Sequence, residues 1–499
     1  MFKTLLKVVI GLVCVGLLLP MLLTAQESGE NAPVELRVMT FNIWVGGELV
    51  DFGKIVEAIQ LADADIVGLQ EPTGNTQRLA QALGWQYASD QMHVISRYPL
   101  IDPPGANGDY IYVQIAPGQV VAIANVHLTS DPYGPYEIRD GVSEEAVFEL
   151  EQGLRLAEIE PLLARLSGLI DAGVPVFLTG DFNTPSHQDW TSAVAETRPD
   201  VLYPVAWPVT MAVEAAGFVD TFRAVYPDPI ENPGITWTYG YPYPRLSDGE
   251  IIDRIDMVFA ANTVEVLSSE IVGDAGTPNV DIGLTPYGSD HRAVVSTVRV
   301  VPAVPPAFVA VHAPSVKQGE QLVVRYHAPG GEETDRIVIV PVEGDPVADA
   351  LMWLPPYEAS FFGSVTFGTG TLAAGQYAAV LVTVDDAELS RSPFWVLEPD
   401  AVPSVVTERD TYAPGDPITV TWANTHAMRR DWVAIYSADS ADLYNDYWAY
   451  AYTGALVNGE FTFDAALLGD EMLPAGDYEV RLLTDDGYGL VAVAGFTIE

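Results

Sequence analysis

The sequence predicts an α/β domain over the first three hundred residues, followed by two β-sandwich modules. Three observations carry this. Short apolar runs of β-forming residues, such as Val176-Phe177-Leu178, recur and end in polar residues. Between them lie stretches of helical spacing, at Ile55, Val56, Ala58, Ile59 and Leu61 and again over residues 144–171. Beyond the proline-rich residues 301–306, a set of short motifs occurs twice.

The strands deliver polar residues. Residues 35–44 alternate and bring Asn42 near their end. Asp65-Ile66-Val67-Gly68-Leu69-Gln70-Glu71-Pro72 closes on a carboxylate, because Pro72 cannot continue a ladder. Residues 93–100 form the next strand. Residues 111–115 and 120–128 read as a hairpin around Pro117-Gly118, with His127 near the end of its second arm. Val176-Phe177-Leu178-Thr179-Gly180-Asp181-Phe182-Asn183 reads as a buried strand that turns at Gly180 and points Asp181 and Asn183 the same way. Residues 234–238 start another strand, and residues 252–259 a further one, with Asp256 among apolar neighbours. Ser289-Asp290-His291 opens the last strand of the domain. In stacked sheets strand ends gather at one rim, where Asn42, Glu71, His127, Asp181, Asn183, Asp256, Asp290 and His291 would meet. The turn-rich residues 129–141 follow His127 directly, so Tyr133, Tyr136 and Arg139 are expected to line a substrate pocket. From Trp190 to Phe222 the pattern is helical pieces broken by prolines, and residues 239–244 form a Pro-Tyr loop.

The chain has 499 residues and 49% hydrophobic content, normal for a globular protein. Its 23 Lys and Arg against 68 Asp and Glu leave a net charge of −45. Such a surface argues against tight non-specific nucleic-acid binding, which needs cations on phosphates. Lys3 and Lys7 precede an apolar run over residues 8–19, and Ala25 offers a small residue for cleavage. Residues 1–26 are therefore expected to be a secretory signal peptide, or else an N-terminal anchor, which places the protein outside the cell, at its surface or in the periplasm. Cys14, the only cysteine, falls in this segment, so disulfides and thiolate chemistry are excluded from the rest. Hard oxygen ligands without cysteine suit Mg2+, Mn2+ or Ca2+ rather than structural zinc, and carboxylates, amides and histidines together suit phosphate-ester hydrolysis.

Seven motifs in order, over roughly residues 34–300, resemble the endonuclease/exonuclease/phosphatase superfamily of deoxyribonucleases, exonuclease III-type repair nucleases and neutral sphingomyelinases. They are Thr40-Phe41-Asn42, Leu69-Gln70-Glu71, Ile95-Ser96-Arg97-Tyr98-Pro99, Val126-His127-Leu128, Gly180-Asp181-Phe182-Asn183, Arg254-Ile255-Asp256 and Ser289-Asp290-His291. The resemblance implies a four-layered α/β sandwich, two packed mixed sheets flanked by helices. It also implies roles. Glu71 would hold the divalent metal with Asn42 and Asp290 close by. Asp181 would orient and deprotonate the attacking water, and Asn183 and His127 would bind phosphoryl oxygens. His291, held by Asp256, would stabilise developing charge or assist the leaving group. Trp44 stands where the repair nucleases carry an aspartate, and no lysine-rich loop is present to grip DNA. The His127 motif fits the deoxyribonuclease and sphingomyelinase branches better. The implied activity is metal-dependent phosphodiester hydrolysis, nuclease or sphingomyelinase-like. A phosphomonoesterase acting on a small molecule and a surface-binding protein using the fold as scaffold are the alternatives.

Residues 301–306 read as a stiff linker, after which the catalytic part is expected to fold alone. Gly319-Glu320-Gln321-Leu322-Val323-Val324 matches Gly415-Asp416-Pro417-Ile418-Thr419-Val420, and Asp335 and Asp431 follow at equal intervals. Ala374-Gly375-Gln376-Tyr377 matches Ala475-Gly476-Asp477-Tyr478. Two immunoglobulin-like modules are expected, at residues 307–399 and 401–499. Trp422, Trp432, Tyr444, Tyr447, Trp448, Tyr450 and Tyr452 make the second aromatic-rich, as core or as a platform for a glycan or cell-surface partner. Asp485-Asp486-Gly487 is either a turn or a calcium site.

Overall fold

The structure is a computed structural model. It describes residues 32–106, 108–237, 239–240, 244–328, 335–356, 362–428, 430–441, 443, 446–464, 473–484 and 489–499. The expected signal segment, residues 241–243 of the Pro-Tyr loop, Tyr444 and Asp485-Asp486-Gly487 lie outside the described residues. No helix among the described residues is long and apolar enough to cross a membrane.

Two sheets form the body of the first domain. One has seven strands, with Val34–Asn42 at its centre between Ala293–Val300, antiparallel, and Ile66–Gln70, parallel. The other has six, and places Gln119–His127 parallel to Val176–Asp181, which pairs antiparallel with Asp256–Ala261. Both sheets are thus mixed, as expected.

Strand alternation accounts for the four layers. Leu36, Val38, Ile66, Val121, Ile123, Phe177 and Val258 pack between the sheets. Their sequence neighbours Met39, Phe41, Val67 and Leu69 face outward onto Ile55, Ile59 and Leu79 of the helices Phe52–Ala62 and Thr76–Leu83. On the far side Ala122, Ala124, Val176, Leu178 and Phe259 meet Ile159, Leu163 and Leu166 of helix Ala157–Asp171, and Val209 and Val213 of helix Pro208–Ala215. The expected long helix is continuous but changes its winding. Glu144–Glu151 passes through a π-helical segment, Gln152–Leu156, into Ala157–Asp171.

The C-terminal repeat is visible strand for strand. Phe308–Val311, Gln321–His327 and Phe362–Gly368 make a three-stranded sheet, and Ser404–Thr407, Ile418–Ala423 and Gly459–Phe463 make its counterpart in the same order. Each faces a five-stranded sheet. Tyr377 donates to the carbonyl of Ala373 at 2.9 Å and Tyr478 to that of Pro474 at 2.8 Å, so one corner device is used twice. Trp422 and Trp432 are buried, whereas Tyr447, Tyr450 and Tyr452 are exposed.

Residues 301–306 do not hang free between the domains. Ala303 and Val120 exchange both backbone hydrogen bonds at 2.8 Å. Phe308 and Ala310 then enter the same apolar cluster as Tyr112, Val120 and Ala122. The guanidinium of Arg325 donates to the carbonyl of Leu100. The first module therefore completes the core of the α/β domain, and removal of everything after Val301 would leave an apolar face open. This departs from the expectation of an independent first domain.

Candidate active site

The inter-sheet face of each central strand changes character along its length. It begins aliphatic, becomes polar and buried, and ends in the candidate residues at one rim. On Val34–Asn42 the series is Leu36, Val38, Thr40, Asn42. On Gln119–His127 it is Val121, Ile123, Asn125, His127, and on Val176–Asp181 it is Phe177, Thr179, Asp181. Asp256 begins its strand, but that strand runs antiparallel and Asp256 lies opposite Asp181 in the register. His291 precedes Ala293–Val300 for the same reason. The expected convergence at one rim is therefore a matter of strand direction.

Beneath the rim lies a hydrogen-bonded layer. Gln70 Nε2 donates to Asn125 Oδ1 at 2.7 Å across the two sheets, and Thr179 Oγ1 donates to the same oxygen at 2.9 Å. Asn125 Nδ2 donates to the Leu69 carbonyl at 2.8 Å. Gly68 makes room, since a Cβ there would fall 2.1 Å from Thr179 Oγ1 and 2.4 Å from Asn125 Oδ1. These residues escaped the sequence reading. A buried, satisfied polar layer of this kind holds the groups above it in one arrangement.

Asp181 is the hub. Its Oδ2 accepts from Asn42 Nδ2 at 3.1 Å and lies 3.6 Å from His127 Nε2 and 3.7 Å from His291 Nδ1. Its Oδ1 accepts from the Asn183 backbone at 3.0 Å. The turn expected at Gly180 occurs later, at Asn183, where φ is +48°. Gly180 serves a close approach instead, because a Cβ would sit 2.6 Å from the Val126 carbonyl. The side chain of Asn183 donates to the Leu128 carbonyl at 2.8 Å, which fixes the chain after His127.

His291 Nδ1 and Asp256 Oδ2 are 2.9 Å apart and both side chains are buried. Burial opposes a charge on the imidazole, but Asp256 and Asp181 outweigh it and hold the pKa of His291 well above its ordinary value. Thr236 Oγ1 accepts from the backbone N–H of Ile255 and of Asp256, and the Trp237 ring lies 4.5 Å from the His291 ring. Sequence reasoning saw residues 234–238 as a strand start and missed this support.

Glu71 sits in left-handed backbone, φ +54°, as do Trp44 and Val45. A β-branched residue there is a true outlier, and such strain persists where the surroundings over-determine it. The surroundings here are explicit. Val45 N donates to Glu71 Oε2 at 2.9 Å, Gly46 N to the Glu71 carbonyl at 2.7 Å, and Asn42 Nδ2 to Glu71 Oε1 at 3.1 Å. Ser289 Oγ donates to the Asn42 carbonyl at 2.7 Å and accepts from His291 N at 3.1 Å, tying the last motif to the first. Burial pushes the Asp290 carboxyl up to about 7; the charge of His291 opposes this and that of Glu71 adds to it. The Asp290 carboxyl, whose ionisation burial and the Glu71 charge oppose, stands with Glu71 and the Asn42 amide as an oxygen donor set that a hard divalent cation would relieve. Asp181, Asp256 and His291 also bring ligand atoms within 4.8 Å of one another. That trio is closed by the 2.9 Å contact between His291 and Asp256, so a shared proton suits it better than an ion.

The loop after His127 behaves differently from expectation. Tyr133 is buried and its hydroxyl donates to Asp253 at 3.0 Å, where Trp190 Nε1 also donates at 3.0 Å. Tyr136 hydrogen-bonds Glu250, and Arg139 stacks on the Tyr136 ring and donates to the Gly249 carbonyl at 3.0 Å. All three fasten helix Gly134–Arg139 to the residues before Asp256, rather than line an open pocket. The turn residues were legible in the sequence, but their inward partners were not.

The sequence profile of the endonuclease/exonuclease/phosphatase family matches residues 39–291. An uncharacterized protein of Caenorhabditis elegans is 32% identical over 256 residues, 45% of this chain and 78% of that one. An endonuclease/exonuclease/phosphatase of Beutenbergia cavernae gives a TM-score of 0.34 at 20% identity, over 72% of this chain and 99% of that one. D. rerio TDP2, crystallised with a single-strand DNA product, gives 0.32 at 16% identity, over 53% and 98%. With its profile matched across about half of the chain, residues 39–291, the chain belongs to the endonuclease/exonuclease/phosphatase family.

Proposed function

We propose that the protein is a divalent-metal-dependent phosphodiesterase in which Asp181 activates water for in-line attack. Members of its family are generally hydrolases of phosphoesters. The observation that carries the finer reading is the position of one carboxylate oxygen, Asp181 Oδ2, within 3.7 Å of Asn42, His127 and His291 together. Asn42 and the histidines orient that carboxylate, which takes the proton of a water as it attacks phosphorus. The P–O bond opposite breaks as the new one forms. The imidazolium of His291 faces the charge that grows on the phosphoryl oxygens, and Asp256 fixes its orientation. His127, half exposed at the rim, supplies a second donor. Glu71, Asp290 and Asn42 would hold the metal, which supplies positive charge to the phosphoryl oxygens when bound. The protein would act outside the cytoplasm, exported by its N-terminal segment.

The test is hydrolysis of bis-p-nitrophenyl phosphate beside p-nitrophenyl phosphate, with Mg2+, Mn2+ or Ca2+, with and without chelator, for wild type and His291→Ala. Metal-dependent diester cleavage lost in the variant is expected. Preference for the monoester would replace this reading with a phosphatase.

A further inference from the structure

A cleft of about 1290 Å3 leads away from the rim. Glu71 and His127 of the candidate site line it, as do Asp102 and Glu158 of the same domain and Met428 and Tyr452 of the second module. The first module contributes Ala310, His312 and Arg325 to the lining. The candidate site therefore opens into a groove that three domains build together. At Tyr452 the groove meets an exposed tyrosine ladder on the edge strand Tyr447–Tyr452. Tyr447, Tyr450 and Tyr452 are 37%, 47% and 47% exposed. Successive ring centroids lie 5.5 and 5.8 Å apart, edge to face.

Resting on the phosphodiesterase reading, we propose that this groove binds the non-leaving arm of the substrate, and that the arm is an uncharged glycan that runs onto Tyr452 and Tyr450. Charge selects first. Five carboxylates line the groove against two arginines; Asp109 is paired with Arg165, which leaves four, and Arg325 is turned to the Leu100 carbonyl. A second and third phosphate on a nucleic-acid strand would be repelled along that course. An alkyl chain fits no better, because carboxyl groups interleaved with Pro103, Ile111 and Ala310 would lose water against it without gaining a partner. Sugar rings offer what the groove lacks. Their hydroxyls donate to carboxylates and imidazoles, and their C–H faces lie on aromatic rings. The tyrosines add hydroxyls of their own, and their spacing is comparable to the repeat of a hexose chain. The position of the ladder, continuous with the groove from the scissile site, gives it a substrate to extend rather than a separate partner to dock.

The experiment uses the full chain and four p-nitrophenyl phosphodiesters with the same leaving group. Their second arms are methyl, maltohexaosyl or cellohexaosyl, hexadecyl, and oligothymidylate. The quantity read is kcat/KM for each arm divided by that for methyl. A glycan ratio of at least tenfold, held in KM, reduced to near one by Tyr452→Ala or Tyr450→Ala and retained by Tyr452→Phe, is expected. A ratio near one in wild type, a ratio untouched by the alanine variants, or preference for hexadecyl or oligothymidylate would overturn the proposal. Absence of any turnover, methyl ester included, would mark failure of the phosphodiesterase reading instead. Titration calorimetry with maltohexaose and cellohexaose then decides the groove. Binding lost in Tyr452→Ala supports it, and no binding overturns it.

Discussion

His291 Nδ1 and Asp256 Oδ2 lie 2.9 Å apart, although the strand beside His291 belongs to the seven-stranded sheet and Asp256 to the six-stranded one. The pair closes the sandwich at its rim, and Asp181 stands 3.7 Å from the same imidazole nitrogen. Two carboxylates hold the imidazole charged above its ordinary range. The proton is therefore bound throughout neutral pH and lost only as pH rises through the raised value. Asp256→Asn removes one carboxylate, so the alkaline limb of the kcat profile is expected to move toward lower pH and kcat to fall by about 10²–10⁴. A profile that keeps its wild-type shape would show that His291 does not act as the cation.

Asp181→Asn keeps the shape of the hub and removes its charge. Turnover is expected to fall by about 10³ or more, with thermal unfolding and circular dichroism close to wild type. Wild-type activity in the folded variant would remove Asp181 from the reaction.

The oxygen donor set at Glu71 and Asp290 can be tested without turnover. Saturating Mn2+ or Mg2+ should raise the unfolding free energy, by about 2.7 kcal/mol at a hundredfold excess over Kd. Glu71→Gln should abolish the shift. An unchanged shift in Glu71→Gln would direct attention to Asp181, Asp256 and His291 as the ion's ligands.

Glu151 and Arg155 form a fully buried pair at 2.6 Å, and Arg155 also donates to the Ser130 and Pro132 carbonyls at 2.7 and 2.8 Å. The pair thus pins the loop that follows His127. Burial pushes Glu151 up to about 7, against the pull of Arg155. A carboxyl whose pKa is raised on folding contributes stability in acid and loses it as pH rises toward that value. Urea unfolding should therefore show wild-type stability declining between about pH 4.5 and 7, by up to about 3 kcal/mol from this group. Glu151→Gln should be less stable overall yet flatter across that window. An identical slope would assign the decline to other groups.

Phe308 tests the union of the first module with the α/β domain. It packs 6.2 Å, ring to ring, from Tyr112 of the hairpin. Phe308→Ala in the full chain is expected to cost about 3–5 kcal/mol in denaturant unfolding. A loss below about 1 kcal/mol would return residues 301–306 to the role of a simple linker.

The sequence by itself determined the central strands, the period-2 faces, the doubled module and the polar residues at the strand ends. These are local properties, set by alternation, by proline and glycine, and by residue type within a few positions. By contrast, residues 93–100 divide into Val94–Ser96 and Leu100–Ile101 of different sheets, and residues 234–237 make only the bridge of Trp237 to Asp253. Asn42, Glu71, His127, Asp181, Asp256, Asp290 and His291 were all legible because each closes or opens an apolar run. Only the tertiary structure decided what each of them touches. Gln70, Asn125 and Thr179 read as ordinary strand residues until two sheets bring Gln70 and Thr179 to 2.7 and 2.9 Å from Asn125 Oδ1. Tyr133 looked like a pocket residue until Asp253, distant in sequence, drew it inward. Trp237 reached His291, and Phe308 reached Tyr112, by the same long-range packing. Side-chain partners across sheets and between modules depend on where the whole core closes, and no local pattern of residues encodes that closure.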